Sequence, residues 1–497
     1  MPDPPGGRAP ASASRAVTEE PLCGLSHDIV EGTFTVSPDG RHVAWARVRL
    51  GKAAVVVDGD PGPEHEAVAN VILSPDSRRV AYVAGRQGRE FVVLDGEPQG
   101  TYDAIGAGSL TFSPDSQRLA YEVAQTGKAS VVVDGQRGPA YDGTGERSLV
   151  FSPDSRRFAY VAGRGDKAAV VLDGGELTEY DGIAGVGVVF SPDSGRVAYV
   201  AARGGQFRVV VDGQEGRAHD AVSQLRFSPD SRRVAYAARP DTQWAVFVDS
   251  EEAPTYGHTA GLTFSPDGQR VAYTARRDGA WHVVLDGEEG PAYEGCGGLV
   301  FFSADGQRTA YAAMRRSKWV LVVDGQEGRE YDGIQCFSPE PSFFSPDGRH
   351  VAYCAWRGPI GRSEHFVVLD EEEGPVHNFV VSASLVLSPD SQRLAYVVVP
   401  EERRLLVLRR RRQAVVVDGA EGPRFDEIGP LTVVFGSDSR HLAYSAREGE
   451  AFLVCLDQRP GPTYPRVVPG TGPRFGPDGA VHYIAAKEGW LVRVTQR

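Results

Sequence analysis

Apolar and polar residues alternate along the chain in short runs, and the runs recur in a fixed order. Leu110-Thr111-Phe112 is apolar at alternate positions, and Arg118-Leu119-Ala120-Tyr121-Glu122-Val123-Ala124 follows. Ser130-Val131-Val132-Val133 is a third run, and a weaker fourth starts at Tyr141. Such runs, bounded by turn residues, predict strands, because branched and aromatic side chains fit a pleated surface. Ser113-Pro114-Asp115-Ser116 predicts a tight turn: proline presets φ and the aspartate bonds its own backbone. Asp134-Gly135 predicts the next, with glycine free to take a positive φ. No stretch sustains a helical period.

The unit then repeats. Its turn serine falls at Ser37, Ser74, Ser113, Ser152, Ser191, Ser228, Ser265, Ser303, Ser345 and Ser388, and degenerate copies follow at Phe435-Gly436-Ser437-Asp438 and Phe475-Gly476-Pro477-Asp478. Four antiparallel strands every ~40 residues predict an all-β chain of β-propeller blades, twelve in number. The Ser-Pro-Asp-Gly turn leading into an apolar-Ala-Tyr strand, as in Ser265-Pro266-Asp267-Gly268-Gln269-Arg270-Val271-Ala272-Tyr273, resembles the TolB-type, WD-like repeat. The recurring Gly-His and Trp-Asp pairs of true WD repeats are absent. The resemblance covers roughly residues 27–497 and implies a propeller, not any one activity.

The strands are labelled a (Φ-x-Phe, Φ apolar), b (Val-Ala-Tyr), c (Val-Val-Val-Asp) and d (Tyr-Asp-x-Ile), from axis to rim. The pattern opens at His27-Asp28-Ile29-Val30, which reads as a d strand, and closes at Leu491-Val492-Arg493-Val494, a c strand. The first is therefore expected to complete a late blade and to remove an open edge. Propellers usually carry about four to eight blades. Two tandem six-bladed rings are thus expected, over residues 23–250 and 251–497, with seven plus five or one wide ring as alternatives. Residues 1–22, rich in Pro, Ala, Ser and Gly, are expected to be a disordered tail.

Composition narrows the function. The net charge is −13, which disfavours nucleic acid as a partner. Five scattered cysteines without a C-x-x-C pair argue against a disulfide framework or structural zinc. No apolar run reaches the length of a membrane span, and no run of secretory type follows the start, so a cytoplasmic location is expected. Five lysines stand against 48 arginines, a bias of genome-wide usage, so arginine abundance alone says nothing about phosphate recognition.

Catalytic signals are missing from the chain. Neither H-E-x-x-H, G-x-S-x-G nor a phosphate-binding glycine loop occurs, and repeats leave no room for the α/β hydrolase domain that TolB-type propellers can accompany. The aspartates of the two turns recur in every unit, as turn residues do and a catalytic group does not. The recurrent Tyr82, Tyr121, Tyr160, Tyr199, Tyr236 and Tyr273 are expected in cores between blades. No catalytic, cofactor or metal residue is assigned.

Departures from the repeat carry the functional expectation. Three insertions occur in successive units: Gln335–Pro341, read as a d–a connection; Trp356–His365, a b–c loop; and Pro400–Gln413, also a b–c loop. All three are expected at the same end of the scaffold, where binding groups concentrate. The candidate partner-binding residues are Arg403, Arg404, Arg409, Arg410, Arg411 and Arg412, with Trp356, Arg357, Arg362 and Phe337 beside them. The expected function is a non-enzymatic scaffold for another protein, an acidic one by charge. A hydrolase or lyase using the central channel, and a polyanion binder acting through the arginines, are the alternatives.

Overall fold

The computed structural model describes residues 16–24, 30, 33–335, 343–359, 362–400, 412–468 and 470–497. They form twelve small antiparallel sheets, one per repeat unit. The second blade is representative: Ala67–Leu73, Val80–Arg86, Arg89–Leu94 and Glu97–Tyr102 pair in chain order. The outermost strand is therefore the Glu-x-x-Gly-x-Tyr run directly after the Asp-Gly turn. The Tyr-Asp-x-Ile segment is not itself strand d. Its tyrosine ends strand d, and its apolar residue opens strand a of the next blade, as Tyr102 and Ile105 do.

Among the described residues, the inner strands are interrupted by a short bulge or register shift. In the third blade Ala104–Ile105 and Thr111–Phe112 both pair with Leu119–Gln125, with five residues looped out between them. Bulges of this kind bend a strand locally and deepen its twist, which suits a strand wrapped around an axis.

The core lies between blades. Alternate side chains of one sheet meet those of the next, and each of the twelve apolar clusters joins two successive blades. One unites Ala81, Val83 and Val92 of the second blade with Tyr102, Leu110 and Tyr121 around the third. The same packing joins the sixth blade to the seventh, through Ala235 and Val246 against Leu262 and Tyr273. It also joins the last blade to the first, through Ile484, Ala486 and Leu491 against Val43, Trp45 and Val56. The expectation of two six-bladed rings is thereby corrected: the blades form one wide ring. A boundary at residues 250/251 would cut the sixth blade itself, because Glu251–Glu252 is its outer strand.

Closure also differs from expectation. Val17–Gly24 is a strand, not part of a disordered tail, and it pairs antiparallel with Trp490–Gln496 as the outer strand of the last blade. The closing strand is therefore this one and not His27–Val30. His27, Asp28 and Ile29 lie outside the described residues, as do residues 1–15. Val30 already belongs to the first blade, where its N–H donates to the Ala46 carbonyl (2.8 Å). Chemistry favours Val17–Gly24 over a flexible tail because Glu19 and Glu20 find fixed cations. Lys487 Nζ lies 2.5 Å from Glu19, and Arg493 Nη1 lies 2.8 Å from Glu20.

Candidate functional site

The two ends of the ring differ in what their turns can present. At the a–b and c–d end the turns are occupied with holding the ring together. Ser152 Oγ donates to Asp154 Oδ1 (2.6 Å), which also accepts the Arg156 N–H (3.1 Å). The hydrogen bond from Ser152 comes first among the causes that hold the Asp154 carboxyl below its ordinary value. The Asp154 N–H donates to Ser194 Oγ of the next blade (2.9 Å). These aspartates act as turn residues.

An arginine five positions after the turn serine bridges the same end, a role that the repeat pattern alone does not assign. Arg118 Nε donates to Asp134 in the Asp-Gly turn of its own blade (2.8 Å). Its Nη1 donates to the Arg156 carbonyl of the next blade (2.9 Å), and its guanidinium lies 5.3 Å from the Phe151 ring. Arg79, Arg196, Arg270, Arg308 and Arg393 repeat the pattern. The planar fork of arginine suits this triple contact, which the point charge of lysine cannot reproduce.

At the b–c end the loops are held at their bases and left open at their tips. Asp181 accepts the Gly204 N–H of its b–c turn (2.7 Å), and Lys167 Nζ approaches its other oxygen (2.6 Å). In the ninth blade Asp332 takes the same part, accepting the Gly358 N–H (2.8 Å) and the Lys318 ammonium (2.5 Å). In the tenth blade Asn378 replaces the aspartate, and its Nδ2 donates to the Pro400 carbonyl (2.9 Å).

The ninth blade carries a distinctive cluster. Trp356 sits on strand b, opposite Gly333 of strand a and His365 of strand c. The indole lies over Gly333: a Cβ there would come within 1.8 Å of Trp356 Cζ2. On its other side the indole stacks against the His365 imidazole (5.8 Å, 25°). His365 in turn meets Phe379 of the tenth blade (5.1 Å), a side chain 41% exposed. Burial lowers the His365 pKa, so the ring is neutral at neutral pH and offers an apolar face. Its Nε2 lies 2.9 Å from Ser363 Oγ.

Arg357 is committed locally: it pairs with Glu373 and lies over Tyr331 (5.3 Å) and Phe366 (5.1 Å). Arg362 is exposed in the loop, whose turn is closed by its N–H to the Pro359 carbonyl (2.9 Å). Arg412 pairs with Glu448 of the eleventh blade. Arg403, Arg404, Arg409, Arg410, Arg411 and Phe337 lie outside the described residues.

The b–c loops of the ninth and tenth blades thus leave from the same end of the ring, but the Gln335–Pro341 insertion does not. Gln335 pairs with Cys354 and Phe344 with Val351, so both flanks belong to the inner strand of the ninth blade. The insertion therefore interrupts strand a and is not a d–a connection, and residues 336–342 lie outside the described residues. His365 and Phe379 were missed from sequence. His365 occupies a regular strand position and Phe379 the variable site after His377-Asn378, the counterpart of Tyr-Asp in other units, so neither stands out until the two blades are placed side by side.

Among the described residues no group of three or more His, Cys, Asp and Glu is placed to hold a metal ion. No helix in them is long and apolar enough to cross a membrane.

No protein-family model matches the chain, and no curated protein matches it. Solved structures do. A crystal structure of the eukaryotic initiation factor is 12% identical with a TM-score of 0.33, covering 63% of this chain and 91% of that one. The β-propeller domain of the Trilobed protease from Pyrococcus furiosus is 15% identical with a TM-score of 0.25, covering 53% and 96%. The dihydro-heme d1 dehydrogenase NirN in complex with DHE is 15% identical with a TM-score of 0.29, covering 59% and 75%. The fold itself is settled by the chain's own sheets: it is a twelve-bladed β-propeller.

Proposed function

We propose that this propeller is a non-enzymatic, cytoplasmic binding platform of the TolB type, which captures a protein partner on the b–c end of its ring. The observation that carries the reading is the Trp356–His365–Phe379 cluster, half-open to solvent at the junction of the ninth and tenth blades. Aromatic side chains in a fixed frame bury large apolar area at little entropic cost, and this is how anchors of protein interfaces work. Asp332 holds the base of the loop through the Gly358 N–H, and Gly333 makes room for the indole. Arg362 on the same loop, and the arginine-rich insertion joining strands b and c of the next blade, add positive charge that favours an acidic partner.

The test is affinity capture from the native source with wild-type protein, Trp356→Ala and Arg362→Ser. Loss of the same partner in both variants, with melting temperatures retained, supports the platform. Capture that survives both substitutions overturns it. Turnover of an ester, glycoside or peptide by the wild type would favour a channel enzyme instead.

A further inference from the structure

The second position of strand c, at the b–c end, changes character around the ring. It is Glu90, Ala129 and Ala168 in the second to fourth blades. In the next five blades it is Phe207, Trp244, Trp281, Trp319 and His365. The facing position on strand b changes with it. Gly85, Ala124, Gly163 and Ala202 give way to Arg239, Arg276, Met314 and Trp356.

Phe207 and Trp319 lean on the edges of their inter-blade clusters, but a core can form without a large side chain at this position. The blades with alanine at the position pack their neighbours through the same Val and Tyr rows, as the third and fourth do through Val131, Tyr141 and Tyr160. The large side chains are also not sealed: Trp244, Trp281, Trp319 and Met314 are half-buried, and Arg276 is exposed. Contacts within single blades support them: His258 of strand a lies edge-on to Trp281 in the seventh (5.7 Å), and Arg239 lies over Trp244 in the sixth (6.0 Å). Tryptophan, methionine and arginine are the residues enriched where proteins bind one another.

We infer that these side chains form one continuous arc, and that it binds an extended acidic segment of the partner laid across the fifth to ninth blades. This rests on the platform reading and specifies its ligand. Spacing supports an extended chain. Packed sheets lie ~10 Å apart, and a polyproline II-like extended chain rises ~3.1 Å per residue with three residues per turn, so every third side chain faces the arc at about the blade spacing and the arc takes about thirteen residues. Charge supports acidity. The arc holds Arg239 and Arg276, and Arg362 is exposed on the b–c loop of its ninth blade. A segment with apolar residues at every third position and Asp or Glu between them fits both features.

The probe is a set of fluorescein-labelled peptides of that length, with Leu, Phe or Trp at every third position and Asp or Glu elsewhere, read by anisotropy against the full chain. Matched peptides with Lys for the acids, and an oligothymidylate of similar length, complete the set. Binding of acidic peptides is expected to weaken with salt. It should fall about tenfold or more in Trp281→Ala, Trp319→Ala and Arg276→Glu, as for loss of an interface anchor. Trp281→Phe should retain part of it, separating contact from folding. Trp490→Ala removes an exposed tryptophan from the twelfth blade, away from the arc, and should change nothing. Failure of every acidic peptide to bind, equal binding by the arc variants, or preference for the oligothymidylate overturns the inference. Partner capture that still depends on Trp356 and Arg362 in that event leaves the platform standing and removes only the arc.

Discussion

Glu19 and Tyr464, 445 positions apart in the chain, are joined by a hydrogen bond from the tyrosine hydroxyl to the carboxylate (2.8 Å). Tyr464 ends the outer strand of the eleventh blade, and Glu19 lies on the strand that closes the twelfth. The bond places the N-terminal strand against both C-terminal blades, so ring closure depends on it.

Removing residues 1–15 should therefore leave the melting temperature unchanged, whereas removal through Gly24 should lower it and cause aggregation. The second truncation bares the edge of Trp490–Gln496, which pairs with Val17–Gly24 along nearly its whole length. Scanning calorimetry with size-exclusion chromatography checks this. Equal behaviour of the two truncations would refute closure by this strand.

Acid should loosen the same closure. The hydrogen bond from Lys487 is the largest cause holding the Glu19 carboxyl below its usual value, with the Tyr464 hydroxyl adding to it. A carboxyl depressed in the folded state stabilises it above the unfolded value of ~4.3 and loses that contribution as pH falls through the folded value. The turn aspartates, Asp76, Asp115 and Asp154 among them, shift the same way, so the whole ring should weaken below about pH 4. Glu19→Gln should flatten the pH dependence of the melting temperature in that range. An unchanged slope would show that this carboxylate is not linked to closure.

Arg118→Lys should destabilise the ring despite keeping the charge. Lysine can meet Asp134 but not the Arg156 carbonyl and the Phe151 face together. A cost of about 1–3 kcal/mol is expected for charge-assisted bonds lost at a partly buried site. Urea unfolding at constant m-value measures it, and a variant as stable as wild type would show the bridge to be incidental.

Gly333→Ala should disturb the candidate site from behind. The new methyl would collide with the Trp356 indole, costing about 1–3 kcal/mol as overpacking does and displacing the ring from His365. Partner capture should fall, and the tryptophan emission should shift. In the Trp356→Ala background the same substitution should be almost neutral for stability. A full penalty in that background would mean the glycine serves the backbone and not the indole.

Strands, turns and repeat number could be read from the sequence because they are local. Period-two runs such as Leu119–Val123, and turns such as Ser113–Ser116 and Asp134-Gly135, are specified by a few neighbouring residues and are restated in each unit. Non-local choices could not be read there. The number of rings depends on the angle at which one sheet packs on the next, which no single unit encodes, so the core joining Val246 to Tyr273 had to be seen. Closure was misread for a related reason. Val17–Gly24 has weak strand character by itself, with Pro21 and two glutamates, and becomes a strand only against the bonding edge and cations of Trp490–Gln496. The candidate surface was legible in part. Trp356 and its loop stand out as a break in the repeat, but His365, Phe379 and the row from Phe207 to Trp319 are regular strand residues. His365 and Phe379, fourteen positions apart, meet only because the ninth blade packs on the tenth.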